Sequence, residues 1–189
     1  VRSRDSTVYS NRLDMPRLTR QEAIRLLEVN NVPKNVVEHC LYVSDFAVEI
    51  AQKIKNRGHT VDVGFVETAA ILHDIGRSKT HGIRHGIEGA TILKDYPKYA
   101  RVCETHIGGG IGKDEATKLG LPEKDYIPGT LEEKIICYAD KLMHGTEKKT
   151  LNETTSKFAE RLGPNHPTID RIIKLESEIR GLMGEDASQ

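Results

Sequence analysis

The sixteen residues ILHDIGRSKTHGIRHG, Ile71 to Gly86, hold His73 directly before Asp74, and then His81 and His85. Imidazole nitrogens beside a carboxylate, with no thiolate among them, are a donor set for Fe, Mn, Zn, Ni or Co rather than for a soft thiolate site. Groups of the same kind recur along the chain. His39 follows Val36 by three and precedes Val43 by four, so it borders an apolar stripe. His73 is in line with Val66 and Ala70, His85 with Glu88, Gly89 and Ile92, and His106 with Val102 and Cys103. Asp140 follows Ile136 by four and Cys137 by three, inside EKIICYADKL. A lone inward histidine is an ordinary core residue, but an ionised carboxylate is almost never buried unpaired. For Asp140 alone, a buried ion pair with Arg or Lys is the competing explanation. Several such groups on several inward faces share one explanation, because a divalent cation would satisfy them together and offset their desolvation.

Neighbours on a helix differ by about 100°, so His73 and Asp74 cannot follow one stripe. At a helix C-terminal end both can converge on an ion lying off that end, which also meets the negative pole of the helix dipole. Gly76 then stops the helix and lets the chain turn sharply away.

The elements that carry these groups read as helices. TRQE at Thr19–Glu22 and TLEE at Thr130–Glu133 are capping boxes, opening helices to about Glu28 and about His144. Pro33 fits the first turn of a long helix to about Asn56, with Val36, Cys40, Val43, Ala47, Ile50 and Ile54 as its stripe. Further helices are expected from Asp62 to about Asp74, over 83–96, 97–107, 113–120, 151–162 and 168–183. Strand-like alternation bounded by tight turns is lacking. The expected fold class is therefore all-α, a helical bundle. One domain over 19–183 is expected, with its core over 33–144 and C-terminal helices over 151–183. Residues 1–18 read as a flexible polar segment and 184–189 as a disordered tail. The stripe Ile169, Ile172, Ile173, Leu175, Ile179 and Leu182 either covers the bundle or makes a homodimer contact.

The 189 residues carry 28 basic and 28 acidic side chains and a formal net charge of zero, so no global basic field points to nucleic acid. No apolar run approaches the roughly 18 residues that suggest a membrane span. VRSRDSTVYSNRLD has no apolar core and does not read as a secretory signal. Cys40, Cys103 and Cys137 read as buried free thiols in a reducing compartment, and the expected location is cytoplasmic.

HDIG at His73–Gly76, with His39 before it and Asp140 after it on separate helices, resembles the signature of the HD-domain metal-dependent phosphohydrolases. The resemblance implies an HD-domain helical bundle and an ordered H…HD…D ligand set on His39, His73, Asp74 and Asp140, over about Pro33 to His144. HGIEGATIL at His85, THIGGG at His106 and TLEEKIICYADKL around Asp140 are similar to the branch with two extra histidines, in which six residues hold two metals and the motif aspartate bridges them. This implies His39, His73, Asp74, His85, His106 and Asp140 as ligands of one or two divalent transition metals. The chain as a whole resembles an uncharacterised archaeal HDIG-domain family. The branch also includes HD-type hydrolases that split dinucleoside tetraphosphates. The GYP motif of related cyclic-dinucleotide phosphodiesterases is absent. Arg77 stands where many relatives carry Lys and where the HD nucleotidases carry Glu.

The activity implied is attack of metal-activated water on a phosphoester or phosphoanhydride of a nucleotide-type small molecule, with Asp74 as the catalytic bridging carboxylate. Arg77 is the first choice for a phosphate contact, because a guanidinium grips oxygens bidentately. Lys79 and Lys141 are further substrate-binding candidates, weighed against an ordinary solvated face. Glu88 either orients His85 or is a surface acid. His144 is a candidate to support the ligands, and His81 reads as a loop residue. In a mononuclear variant His85 and His106 serve as supporting or substrate groups. Two other classes compete: a non-catalytic metal- or nucleotide-binding regulatory helical domain, and a structural metal closed off by protein ligands. HIGGGIG at His106–Gly112 is not a P-loop, and no GxSxG nucleophile motif occurs.

Overall fold

The computed structural model describes residues 17–185. Residues 1–16 of the expected flexible segment and 186–189 of the expected tail lie outside the described residues. The helices are α1 (Arg20–Val29), α2 (Lys34–Asn56), α3 (Val63–Leu72), α4 (His85–Ile92), α5 (Pro97–Thr105), α6 (Lys113–Lys118), α7 (Leu131–Leu142), α8 (Leu151–Leu162) and α9 (Pro167–Met183). A 3-10 turn, Ile75–Ser78, follows α3. A small antiparallel hairpin, β1 (Met143–His144) and β2 (Glu147–Lys148), follows α7. The fold is the all-α bundle that the helical periodicity calls for.

The long α2 is its spine. Val36, Cys40, Val43, Ala47, Ile50 and Ile54 are all buried and pack against α3 and α7. Each isoleucine so buried contributes about 1.5–3 kcal/mol. Helix α9 lies on α7 through Ile169, Ile172, Leu175 and Ile179, with Ile173 left exposed. Its stripe therefore covers the bundle. Cys40, Cys103 and Cys137 are free and buried, and burial raises all three thiols, Cys137 to about 12.

Several boundaries differ from expectation, each for a local reason. Leu18 is buried and its N–H donates to the Tyr99 hydroxyl at 3.1 Å, so it belongs to the packed domain. Thr19 and Glu22 form the reciprocal capping box. At Thr130 only half of that motif forms: Thr130 Oγ1 accepts from the Glu133 N–H at 3.2 Å, but the Glu133 carboxylate accepts from the Gly129 N–H at 2.8 Å. A full box occurs instead at Thr150 and Glu153. Helix α7 stops at Leu142 rather than His144, because Met143 turns extended and Gly145, at φ +63°, makes the tight turn of the hairpin. Strands of two residues are too short to show alternation. Among the described residues no helix is long and apolar enough to cross a membrane.

Candidate metal centre

His39 points from the second turn of α2 towards the end of α7. His73 and His106 are the C-cap residues of α3 and α5. His85 opens α4, Asp74 immediately precedes the 3-10 turn, and Asp140 lies in the last turn of α7. These elements bring all six candidate ligands together. His39 Nε2 lies 3.0 Å from Asp140 Oδ1, and His73 Nε2 lies 3.4 Å from the same oxygen and 3.7 Å from Asp74 Oδ2. On the other side of Asp74, its Oδ1 is 3.2 Å from both His85 Nε2 and His106 Nε2, which are 3.0 Å apart.

The ring nitrogens that face away explain why these rings face in. Each Nδ1–H donates to a backbone carbonyl: His39 to Gly145 at 2.8 Å, His73 to Ala70 at 2.6 Å, His85 to Gly82 at 2.7 Å and His106 to Cys103 at 2.8 Å. This fixes the tautomer and leaves four Nε2 lone pairs directed at two carboxylates. Acceptors do not satisfy acceptors. His73 Nε2 and Asp74 Oδ1 are buried with no hydrogen-bond partner, which costs free energy unless a cation or a proton occupies the space between them. Two overlapping groups have donor atoms close enough to hold an ion, His39–His73–Asp140 and His73–Asp74–His106. The donor chemistry and the orphaned atoms both fit a divalent metal.

The electrostatics agree. Burial pushes the Asp74 carboxyl up, but the charge on His73 and the His106 and His85 imidazoles beside it outweigh burial and hold the group well below the usual carboxylate range. Burial likewise opposes ionisation of Asp140, and Lys141, His39 and His73 overcome it. Burial pulls His73 down, yet the Cys40 sulfur, Asp74 and Asp140 leave it well above its ordinary value, so this field attracts positive charge. Burial takes His106 down to about 4, which keeps its ring neutral and its lone pair available.

Gly76 works differently from the sequence reading. Its φ is not in the left-handed range, so the turn itself does not require glycine. Packing does: a Cβ there would lie 1.9 Å from the His85 carbonyl oxygen and 2.5 Å from the Gly89 nitrogen. The 3-10 turn therefore rests directly on the backbone of α4. A Cβ at Gly86 would meet the Cys103 carbonyl oxygen at 2.6 Å, and one at Gly89 the Cys103 side chain at 3.0 Å. These close approaches clamp α4 between the HDIG turn and α5, and so bring His85 to His106.

The remaining candidates are placed as follows. Arg77 Nε donates to Asp74 Oδ2 at 2.5 Å, and the Lys141 ammonium contacts Asp140 Oδ2. Lys79 and His81 are exposed. Glu88 does not orient His85, whose Nδ1 is held by Gly82. His144 reaches Thr154 Oγ1 at 3.3 Å rather than a candidate ligand. A cavity of about 470 Å³ opens on the His39–Asp140 side, and Arg77, Lys141 and His144 line it. Its far wall is Lys157, Phe158 and Arg161 of α8. These three carry no motif, and nothing in their local sequence separates them from a solvated helix face.

The family model described as "HD domain" matches residues 36–143. An uncharacterised protein of Methanocaldococcus jannaschii is 52% identical over 166 residues, covering 86% of this chain and 98% of that protein. A tRNA (cytidine(56)-2'-O)-methyltransferase of Picrophilus torridus is 36% identical over 168 residues, covering 87% of this chain and 47% of the relative. The enzyme of the same name from Thermoplasma volcanium is 33% identical over 172 residues, covering 89% of this chain and 49% of the relative. The chain thus spans about half the length of these two methyltransferases. No solved structure matches the chain significantly.

Proposed function

We propose that this chain, which belongs to the HD-domain family, is a metal-dependent phosphohydrolase acting on a phosphoester or phosphoanhydride of a nucleotide-type substrate. The observation that carries the reading is the buried, all-acceptor cluster: four Nε2 lone pairs and two carboxylates with their outer hydrogen bonds already committed. A bound divalent cation supplies Lewis-acid charge for phosphoryl oxygens and lowers the pKa of nearby water. His39, His73 and Asp140 would hold one ion, and Asp74, His85 and His106 a second. Asp74 would be the shared carboxylate in that arrangement; its Oδ2 faces His73 and its Oδ1 faces His85 and His106. Arg77 donates to Asp74 through Nε and to the His81 carbonyl through Nη1 at 3.4 Å, and it lines the cavity, which leaves Nη2 for phosphate oxygens. Lys141 lines the same cavity beside Asp140. The dinucleoside tetraphosphate hydrolases of the two-histidine branch make that substrate the first to screen.

Elemental analysis of protein purified without chelator or affinity tag, paired with Asp74→Ala, tests this. Close to two first-row metals per chain, and loss of both metal and turnover of nucleotide phosphates in the variant, are expected. Full metal occupancy and turnover in Asp74→Ala would refute the site. Metal retention with no turnover of any phosphoester would leave the regulatory binding domain instead. A second reading draws on the two relatives named as tRNA methyltransferases: phosphorylated RNA ends, rather than free nucleotides, are the substrate. Preferential turnover of a phosphorylated tRNA fragment over the matching mononucleotide would favour it.

A further inference from the structure

We propose that the face of α8 carrying Lys157, Phe158 and Arg161 is a second anion subsite of the metal-side cavity, and that it takes phosphates linked to the one being cleaved. The substrate class is then a chain of linked phosphates, as in a nucleoside polyphosphate, rather than a lone phosphate monoester. This rests on the phosphohydrolase reading for what happens at the metal ligands, but the subsite itself is a matter of α8 and binding.

The cavity of about 470 Å³ has His39 and Asp140 on one side and the three α8 residues on the other. That volume is in the range of small-ligand sites, and one phosphate would fill only a small part of it. The cations that line it are in unequal states. Arg77 is tied to Asp74 and Lys141 to Asp140. Lys157 and Arg161 have no carboxylate at ion-pair distance among the described residues, and Asp140 is the only acid in the lining. Glu153, four residues before Lys157, is spent on the Thr150 capping box and on Lys149. Lys157 and Arg161 are themselves one turn apart, and like charges at that spacing are mildly destabilising to the helix. Lys157 and Arg161 are exposed, and two cations without an ion-pair partner on the wall of one cavity are complementary to an anion and serve no folding role that the structure shows.

The face is held in place rather than left to swing. Thr154, buried one turn before Lys157 and Phe158, donates its hydroxyl to the Lys141 carbonyl at 3.1 Å. This fastens α8 to the segment of α7 that carries Asp140. Burial first, and then the charges of Lys157 and Lys149, depress the His144 imidazole, which lines the same cavity. Phe158, half-buried between the two cations, offers an apolar wall against which an organic group on the phosphate chain can lie.

Isothermal titration of the as-purified, metal-containing chain tests this, with metal content checked after each titration. The probes are orthophosphate, inorganic tripolyphosphate and ATP, against wild type and the double variant Lys157→Ala, Arg161→Ala. Tripolyphosphate and ATP are expected to bind at least about 10-fold tighter than orthophosphate. The double variant should lose about 10–100-fold for both, with orthophosphate affinity and metal content unchanged, in line with two lost charge-assisted contacts. ATP binding above tripolyphosphate would support a nucleoside polyphosphate, and equal affinity an inorganic chain. Equal affinity of wild type and variant for tripolyphosphate, or no preference over orthophosphate in wild type, would overturn the subsite. Absence of turnover with these binding differences intact would count against the hydrolase reading alone.

Discussion

Replacing Gly76 with alanine is the most direct probe of how the fold builds the site. The added Cβ would stand 1.9 Å from the His85 carbonyl oxygen, whereas close carbon–oxygen contacts lie at about 3.3–3.6 Å. Backbone cannot swing aside as a side chain can, so α4 or the HDIG turn must retreat by roughly 1.4 Å. Overpacking of this kind costs about 1–3 kcal/mol, occasionally more, and in a chain of this size each kcal/mol lowers Tm by about 2–4 °C. The displacement also separates Asp74 from His85, now 3.2 Å apart, whereas ligand distances tolerate only about 0.2 Å. Gly76→Ala is therefore expected to lower Tm by roughly 2–12 °C and to lose metal held between Asp74, His85 and His106. Thermal unfolding with and without chelator, paired with elemental analysis, reads both. Gly112→Ala is the matched control, since Gly112 has an ordinary φ of −73° and nothing within 4 Å of its Cβ position. Wild-type Tm and metal content in Gly76→Ala would show that this close approach does not govern the site.

Three further outcomes follow from the same geometry. His85→Ala and His106→Ala should each take the metal content from two towards one by elemental analysis, since His39, His73 and Asp140 remain; an unchanged count in both would support a mononuclear centre. Arg77→Ala should weaken metal retention by about 10–100-fold in a chelator competition, the usual effect of removing a group that orients a ligand; a raised KM with unchanged metal affinity would instead make Arg77 a substrate contact only. Burial lowers His106 from 6.5 to about 4 in the folded chain, so the unfolded chain takes up this proton first. Its contribution, on the order of 3 kcal/mol, is full above pH 6.5 and is lost as pH falls towards 4. Metal-free protein should show Tm falling over that window, and His106→Gln should flatten the fall; an identical pH profile in the variant would refute the assignment.

Part of the candidate centre was legible in the sequence where its residues sit on regular helices. Val36, Cys40 and Val43 fix the inward face of α2 and so place His39 at its border. Ile136 and Cys137 do the same for Asp140. A helix end near Asp74 was also legible, and the structure ends α3 slightly earlier, at Leu72, with His73 as its cap. Less legible were features that depend on one or two residues. The half-formed cap at Thr130 turns on whether Glu133 reaches Thr130 or Gly129. The hairpin after α7 is too short to carry a pattern. The reason for glycine at position 76 lay in the backbone of another helix rather than in its own φ.

The aim of three of the four candidate ligand histidines is a local matter. His73, His85 and His106 each donate Nδ1–H to the carbonyl three residues earlier. At the ends of α3 and α5 such carbonyls lack an intrahelical partner. An imidazole that satisfies one of them has its Nε2 directed away from its own helix, so chain position alone determines how those two rings stand. His39 is different: it lies inside α2, where the carbonyls are already used, and takes the Gly145 carbonyl from the hairpin beyond α7 instead. That pairing, the meeting of both carboxylates with four imidazoles, and the basic face of α8 over the cavity arise only when distant segments pack. Sequence periodicity reports which side of a helix turns inward; which other helix it meets there is set by close approaches such as Gly76 on His85 and by single long-range hydrogen bonds.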